Sequence, residues 1–265
     1  MKKITKLNEL KQIELEMLKT IHNICEENNL TYFLGYGTLL GAIRHQGFIP
    51  WDDDIDIMMP RPDYDILCKN FKELFENTDL QLAINDKNHI YYPRPFAKII
   101  NSKTILKETN YDDNNEIGVF IDVFFIDGTP KNKIIKKIHQ TRCNFYRKLY
   151  YASILKKGVC KNKFMQIVST IAHHLNKDKL LNKIDKICRY YDYNESQIVS
   201  NVLQMKNSEI NKKWLTKKLI KFEGIDAYIP CGYDNILSDI YGDYMTPPPI
   251  EKQKPTHLSE IYWKD

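Results

Sequence analysis

The 265-residue sequence predicts an α/β fold in which a small mixed β-sheet with helices is followed by a helical region. Three stretches carry that expectation. Apolar side chains recur at helical spacing from about Thr5 to Asn28. Ile117 to Asp127 is nearly unbroken hydrophobic sequence and reads as a central buried strand. Residues 131 to 191 read as two or three helices, broken near Gly158 and Asn176.

The remaining elements follow in order. Thr31-Tyr32-Phe33-Leu34 is a short strand, Gly35 to Thr38 a turn, and Thr38 a cap for a helix through about Arg44. Gly47-Phe48-Ile49-Pro50 is a loop. Asp54 to Met59 alternates at its start between acid and apolar residues, which is strand periodicity. Pro62 suits the first turn of a helix running to about Phe75. Leu80 to Leu106 gives several short strands. Leu219–Phe222 and Ala227–Pro230 form a small sheet, Ile236 to Tyr241 a helix, and Pro247-Pro248-Pro249 leads into an extended tail.

Composition narrows the function. With 43% hydrophobic residues the chain buries a core. No apolar run approaches the roughly 18 to 20 residues of a membrane-spanning helix. The basic N-terminus opens an amphipathic helix, not a signal peptide, which predicts a cytoplasmic protein. Cys25, Cys68, Cys143, Cys160, Cys188 and Cys231 are scattered, without a Cys-x-x-Cys pair, and are expected to be reduced, packed thiols. Between Lys131 and Arg189 sixteen Lys and Arg face two acids, Asp178 and Asp185, so this segment carries +14 in a chain of net charge +5. Ile134, Ile138, Phe145, Leu149 and Ala152 form an apolar stripe within it. One reading is a helix packed on the core with a solvated basic face. The other is docking to an anionic glycan acceptor or to the inner membrane leaflet. Nucleic acid fits by charge alone, and no recognition motif accompanies it.

The candidate chemistry centres on Asp54 and Asp56. Two residues apart on a strand, their carboxylates share a face and repel unless a cation lies between them. Hard oxygen ligands suit Mg²⁺ or Mn²⁺, and Asp52 beside them adds charge. Asp122 lies within an otherwise apolar strand, where a lone carboxylate is costly. It is either a satisfied core residue or the third carboxylate of the site. Asp127, beside Gly128, reads as a turn residue. Gly37-Thr38 at a helix start is a candidate phosphate cradle.

The run from Gly37 through Arg44-His45-Gln46-Gly47-Phe48-Ile49-Pro50-Trp51-Asp52-Asp53-Asp54-Ile55-Asp56-Ile57 resembles the signature of the LicD family. That family includes bacterial phosphocholine transferases and is related to fukutin and fukutin-related protein. The likeness continues at Gly118 to Phe124 and in Tyr241-Gly242-Asp243-Tyr244-Met245, Pro247-Pro248 and His257. It implies a nucleotidyltransferase-like core at 1–130, a basic helical region at 131–215, and a C-terminal segment at 216–265 packing back on the core. It also implies Mg²⁺ on Asp54 and Asp56 with Asp122 as third carboxylate, and nucleotide phosphates on Gly37 and Thr38. The expected reaction transfers phosphocholine from CDP-choline to a hydroxyl of an anionic cell-surface glycan or glycolipid, of teichoic acid or lipopolysaccharide type. CDP-ribitol or CDP-glycerol would serve the same chemistry. A non-catalytic binder of anionic polymer is the alternative of another class.

Arg44 suits a phosphate or a pairing with the aspartates, and His45 suits the leaving group or the loop. Trp51 is a packing anchor or a wall for the cationic choline group. Lys98, charged within a strand, is a phosphate ligand candidate. Tyr241, Asp243, Tyr244 and His257 are candidates for closing over the site.

Overall fold

The computed structural model describes residues 1–107, 117–156, 163–201, 203, 209–255 and 260–264. Strand β1 (Lys2–Ile4) precedes helix α1 (Leu7–Glu27). Strand β2 (Phe33–Leu34) leads into α2 (Tyr36–Arg44), and β3 (Asp56–Pro60) into α3 (Arg61–Leu74). Four strands follow: β4 (Leu80–Ile84), β5 (Ile90–Tyr91), β6 (Ala97–Asn101) and β7 (Thr104–Lys107). The long β8 (Phe120–Thr129) precedes α4 (Lys133–Ile154), α5 (Lys163–Ala172) and α6 (Lys177–Cys188). Then come β9 (Ile198–Ser200), β10 (Glu209–Asn211), β11 (Lys217–Phe222), β12 (Ile225–Pro230), α7 (Tyr233–Tyr241) and β13 (Glu260–Trp263).

The main sheet is mixed and runs β10-β9-β8-β6-β4-β5, with β3 paired to β8 and β2 to β3. β8 pairs β3 in parallel and β6 and β9 in antiparallel. This is the α/β fold expected from the sequence, with β8 at its centre because its side chains are apolar on both faces. β9 and β10, from the middle region of the chain, extend the same sheet. A second sheet, β1-β13-β7, draws the two ends of the chain together, so the C-terminal tail returns as a strand.

α1 buries Leu10, Ile13, Met17, Leu18, Ile21 and Cys25 along one side, the stripe its periodicity foretells. α4 and α6 meet at Cys143 and Cys188, whose Sγ atoms are 3.7 Å apart. The apolar stripe of α4 is divided. Ala152 is buried and Leu149 packs on the core, but Ile134, Ile138 and Phe145 are exposed.

Several local expectations are corrected. Gly35, not Thr38, is the N-cap of α2. Thr38 lies inside the first turn with its hydroxyl turned to β3. β3 begins at Asp56, so Asp54 sits in the loop before it. Asp127 is no turn residue: it lies within β8, 1% exposed, in a bidentate pair with Arg61 at 2.7 and 2.5 Å. The Arg61 guanidinium also lies 3.4 Å from the centre of the Phe125 ring. A buried carboxylate needs such a partner, and α3 supplies it at its first residue. His257 and the expected break at Gly158 lie outside the described residues.

The signature loop is fastened from two sides. Lys11 Nζ of α1 donates to the carbonyls of Ile49 and Pro50 at 2.9 and 3.0 Å. The two-residue turn between β11 and β12 has positive φ at Glu223 (49°) and Gly224 (85°), as a tight hairpin requires. Glu223 Oε1 accepts from Phe48 N at 3.0 Å, and Glu223 N donates to Gln46 O at 3.0 Å.

Replacing Arg61 by Ala removes the partner of the buried Asp127 carboxylate. Urea unfolding of Arg61→Ala is expected to show a loss of about 3–5 kcal/mol. The double replacement Arg61→Met with Asp127→Leu is expected to recover much of it, since the cost is the unpartnered carboxyl group.

Candidate active site

The registers of three strands place three charged residues in one row. Asp56 of β3 stands opposite Asp122 of β8, and Asp122 stands opposite Lys98 of β6. Registered residues on neighbouring strands project to the same face. Lys98 Nζ approaches Asp122 Oδ1 to 2.6 Å, a charge contact not aligned as a hydrogen bond, and lies 3.0 Å from the centre of the Phe120 ring. Lys98 is buried and does not reach the cavity in front of the row. Its place is beneath Asp122, whose charge it offsets.

The cavity measures about 470 Å³. Asp54, Asp56 and Asp122 all line it. Burial, then the negative charges of Asp54 and Asp122, push the Asp56 carboxyl well above the usual carboxylate range, with Lys98 opposing them. The three carboxylates therefore suit a hard divalent cation, which would replace mutual repulsion with shared attraction. Thr38 and β8 hold the backbone of this corner. Thr38 Oγ1 accepts from Asp56 N at 2.9 Å, Gly35 N donates to Asp56 O at 2.9 Å, and Asp122 N donates to Ile55 O at 3.0 Å.

Gly37 serves close approach. A Cβ there would come within 2.9 Å of Asp52 Oδ2, so the Asp52 carboxylate is packed against the first turn of α2. An acid at a helix N-terminus is favourably placed. One oxygen from each of Asp52, Asp53 and Asp54 lies within 4.8 Å of the others. Glu14 of α1 is 2% exposed, and its Oε2 has no hydrogen-bond partner among the described residues. Burial, then Asp54, Asp53 and Asp52, push its carboxyl well above the usual range. Glu14 escaped the sequence reading because an acid on an amphipathic helix ordinarily faces water.

Other candidates are placed away from the cavity lining. Arg44 Nε donates to His45 Nε2 at 3.0 Å, and Arg44 Nη1 donates to Tyr244 O at 2.9 Å. Burial, then the Arg44 charge, lowers the His45 pKa, which keeps the ring neutral to accept that bond. The His45 and Trp51 rings meet edge to face at 6.3 Å. Tyr244 donates its hydroxyl to Asp234 at 2.6 Å. These four residues tie the signature loop and α2 to the C-terminal segment. Tyr241 does reach the cavity, where burial and then Asp56, Asp52 and Asp54 push its phenol up.

The cavity's remaining wall was not foreseen. Phe96, Phe124 and Tyr36 form a contiguous aromatic group, with ring centres 4.8 Å apart for Phe96–Phe124 and 5.4 Å for Tyr36–Phe124. α4 adds Arg147 and Tyr151. Arg147 Nε is buried without a hydrogen-bond partner among the described residues, and Arg147 is the only cationic side chain on the lining described. Helical spacing puts Arg147 across α4 from Ile134, Ile138 and Phe145, but it does not say which of the two faces turns inward.

A mixed sheet with helices, and a cavity lined by three acids, aromatic residues and one arginine, define an α/β protein in which charges of both signs meet in one cavity. Residues 29–157 match the LicD/FKTN/FKRP nucleotidyltransferase domain. The chain is 33% identical over 272 residues to the lipopolysaccharide cholinephosphotransferase LicD of Haemophilus influenzae, with 99% of each chain covered. Shorter likenesses join it to an uncharacterized protein of Rickettsia typhi, 40% identical over 73 residues, or 26% of this chain and 24% of that one. Another, from Rickettsia prowazekii, is 52% identical over 42 residues, or 16% of each chain. The chain belongs to the LicD family.

The raised pKa of Asp56 has a stability consequence. The folded protein holds a proton that the unfolded chain releases near pH 3.9, about the ordinary Asp value. That contribution is complete below the unfolded value and is lost as pH rises through the folded one. Asp56→Asn is therefore expected to raise the melting temperature of metal-free protein at pH 7 and to leave it nearly unchanged at pH 3.5. A fall at pH 7 would mean that the charges are already neutralised within the protein.

Proposed function

We propose that this protein transfers phosphocholine from CDP-choline to a hydroxyl of an anionic cell-surface glycan or glycolipid. Mg²⁺ or Mn²⁺ is the expected cofactor. The observation that carries the proposal is the single cavity joining Asp54, Asp56 and Asp122 to Arg147 and an aromatic wall. Similarity over the whole length to a lipopolysaccharide cholinephosphotransferase supports it and favours a lipopolysaccharide-type acceptor over teichoic acid. A donor of this kind is an anionic diphosphate bearing a quaternary ammonium. Carboxylates that share a cation suit the diphosphate, and aromatic faces suit the ammonium.

Each residue has a role in this reading. Asp54 and Asp56 hold the cation, and Asp52 shapes the turn behind them. When bound, the cation neutralises charge on the diphosphate. Arg147 contacts the phosphate oxygens. Phe96, Phe124, Tyr151 and Tyr241 surround the choline group. The acceptor oxygen bonds to the choline-bearing phosphorus as the anhydride bond to CMP breaks. The hydroxyl proton passes to Asp122, which Lys98 holds in place, and CMP leaves with the bonding pair. Gly37 and Thr38 act through Asp52 and Asp56, since their contacts lie there. We place the reaction in the cytoplasm, with the enzyme in peripheral contact with the inner membrane leaflet.

The test is CMP release in the presence of a lipopolysaccharide-type glycolipid, with CDP-choline, CDP-ribitol and CDP-glycerol compared, in Mg²⁺ and then EDTA. Release from CDP-choline in Mg²⁺ alone is expected. Release from CDP-ribitol instead would overturn the donor. Asp54→Asn and Asp56→Asn should each abolish turnover in folded protein. Arg147→Ala is expected to lower kcat/KM by about 100-fold, the scale for one phosphate-stabilising donor.

A further inference from the structure

α4 has two unlike faces. Arg147 and Tyr151 face the cavity, and Cys143 and Tyr150 are buried. On the other side Ile134, Ile138 and Phe145 are 72%, 56% and 61% exposed. At 3.6 residues per turn these three lie within about 40° of one another. Lys137 and Lys148 flank them on one side and Arg142 on the other, all exposed. α5 packs beside α4, with Ser169 Oγ donating to Ala152 O at 2.9 Å. It presents Ile167 and Ile171, 60% and 63% exposed. Neither helix contains an acidic residue.

Scattered apolar residues on a surface mean little, but three large ones aligned along α4, with two more exposed on the adjoining α5, mark an interface. Its chemistry decides among partners. A symmetric contact between two copies would set two acid-free basic faces against each other. A soluble anionic glycan or nucleic acid would meet the lysines and leave five large apolar side chains in water. An anionic lipid bilayer satisfies both, taking isoleucine and phenylalanine into its apolar boundary while its headgroups meet Lys and Arg.

We infer that the exposed face of α4 and α5 docks this protein on an anionic lipid bilayer. The docking residues are Ile134, Ile138, Phe145, Ile167 and Ile171, ringed by Lys137, Arg142 and Lys148. The inference rests on the membrane-side part of the proposed function for its purpose, but its test needs neither donor nor acceptor. Face and cavity share one helix, so docking also fixes how Arg147 and Tyr151 stand relative to the membrane.

The experiment is vesicle flotation of the full chain with phosphatidylcholine alone and with phosphatidylcholine–phosphatidylglycerol mixtures, at low and high salt. Flotation with anionic vesicles only, weakened by salt, is expected. Ile138→Asp with Phe145→Asp should reduce the bound fraction at least tenfold while circular dichroism and CDP-choline binding stay unchanged. Lys137→Gln with Lys148→Gln should reduce binding and flatten its salt dependence. Equal flotation of the wild type and the apolar variants would overturn the inference. So would no flotation of the wild type, or a dimer seen by light scattering that the same aspartates dissolve. Loss of turnover with flotation intact would instead count against the proposed reaction and leave the docking face standing.

Discussion

Like-charge repulsion across two strands governs this fold. β3 and β8 run in parallel with Asp56 opposite Asp122, and Asp54 enters the same cavity from the preceding loop. Bringing such carboxylates together costs free energy, and the surrounding structure is arranged to bear it. Lys98 comes from the third strand to sit against Asp122. Thr38 and Gly35 pin the backbone of Asp56, and Lys11 and Glu223 hold the loop that carries Asp52 to Asp54. A hard cation shared with an anionic donor would complete the balance.

The cavity itself presents both signs of charge. Asp54, Asp56 and Asp122 supply the negative side, and the positive side chain, Arg147, comes from α4, far along the chain. Arg147 and Tyr151 make the helical region part of the cavity. β9 and β10 extend the core sheet from the same region. The residues that fasten the signature loop to the C-terminal segment, Arg44, His45 and Tyr244, act at a distance from the reacting groups by fixing where the loop stands. Trp51 belongs with them through its contact with His45 and is not among the rings that line the cavity.

Much of this was legible in the sequence. Local periodicity identified α1, α3, the β11–β12 hairpin and the apolar strand containing Asp122, because each buries a repeating face. The carboxylates stood out through charge placed where burial makes it costly. What was not legible depends on pairing between distant segments. β1 and β13 are short strands without strong patterning; β1 pairs with β13, and β13 with both β1 and β7, all distant in sequence. Asp127 read as a turn residue because its partner Arg61 is sixty-six positions away. Glu14, Arg147 and the exposed isoleucines of α4 depend on which way each helix faces, and spacing alone leaves that orientation open.

The reading proposed for this site has Asp54 and Asp56 hold one divalent cation that the nucleotide donor helps to retain, with Asp122 beside them as the base. Electron paramagnetic resonance of free Mn²⁺ tests it most directly. Titrating Mn²⁺ into wild-type protein should deplete the free-ion signal, and adding CDP-choline should deplete it further. In Asp54→Asn and Asp56→Asn both effects should be largely lost. Equal Mn²⁺ uptake by wild type and both variants, with no response to CDP-choline, would contradict the account.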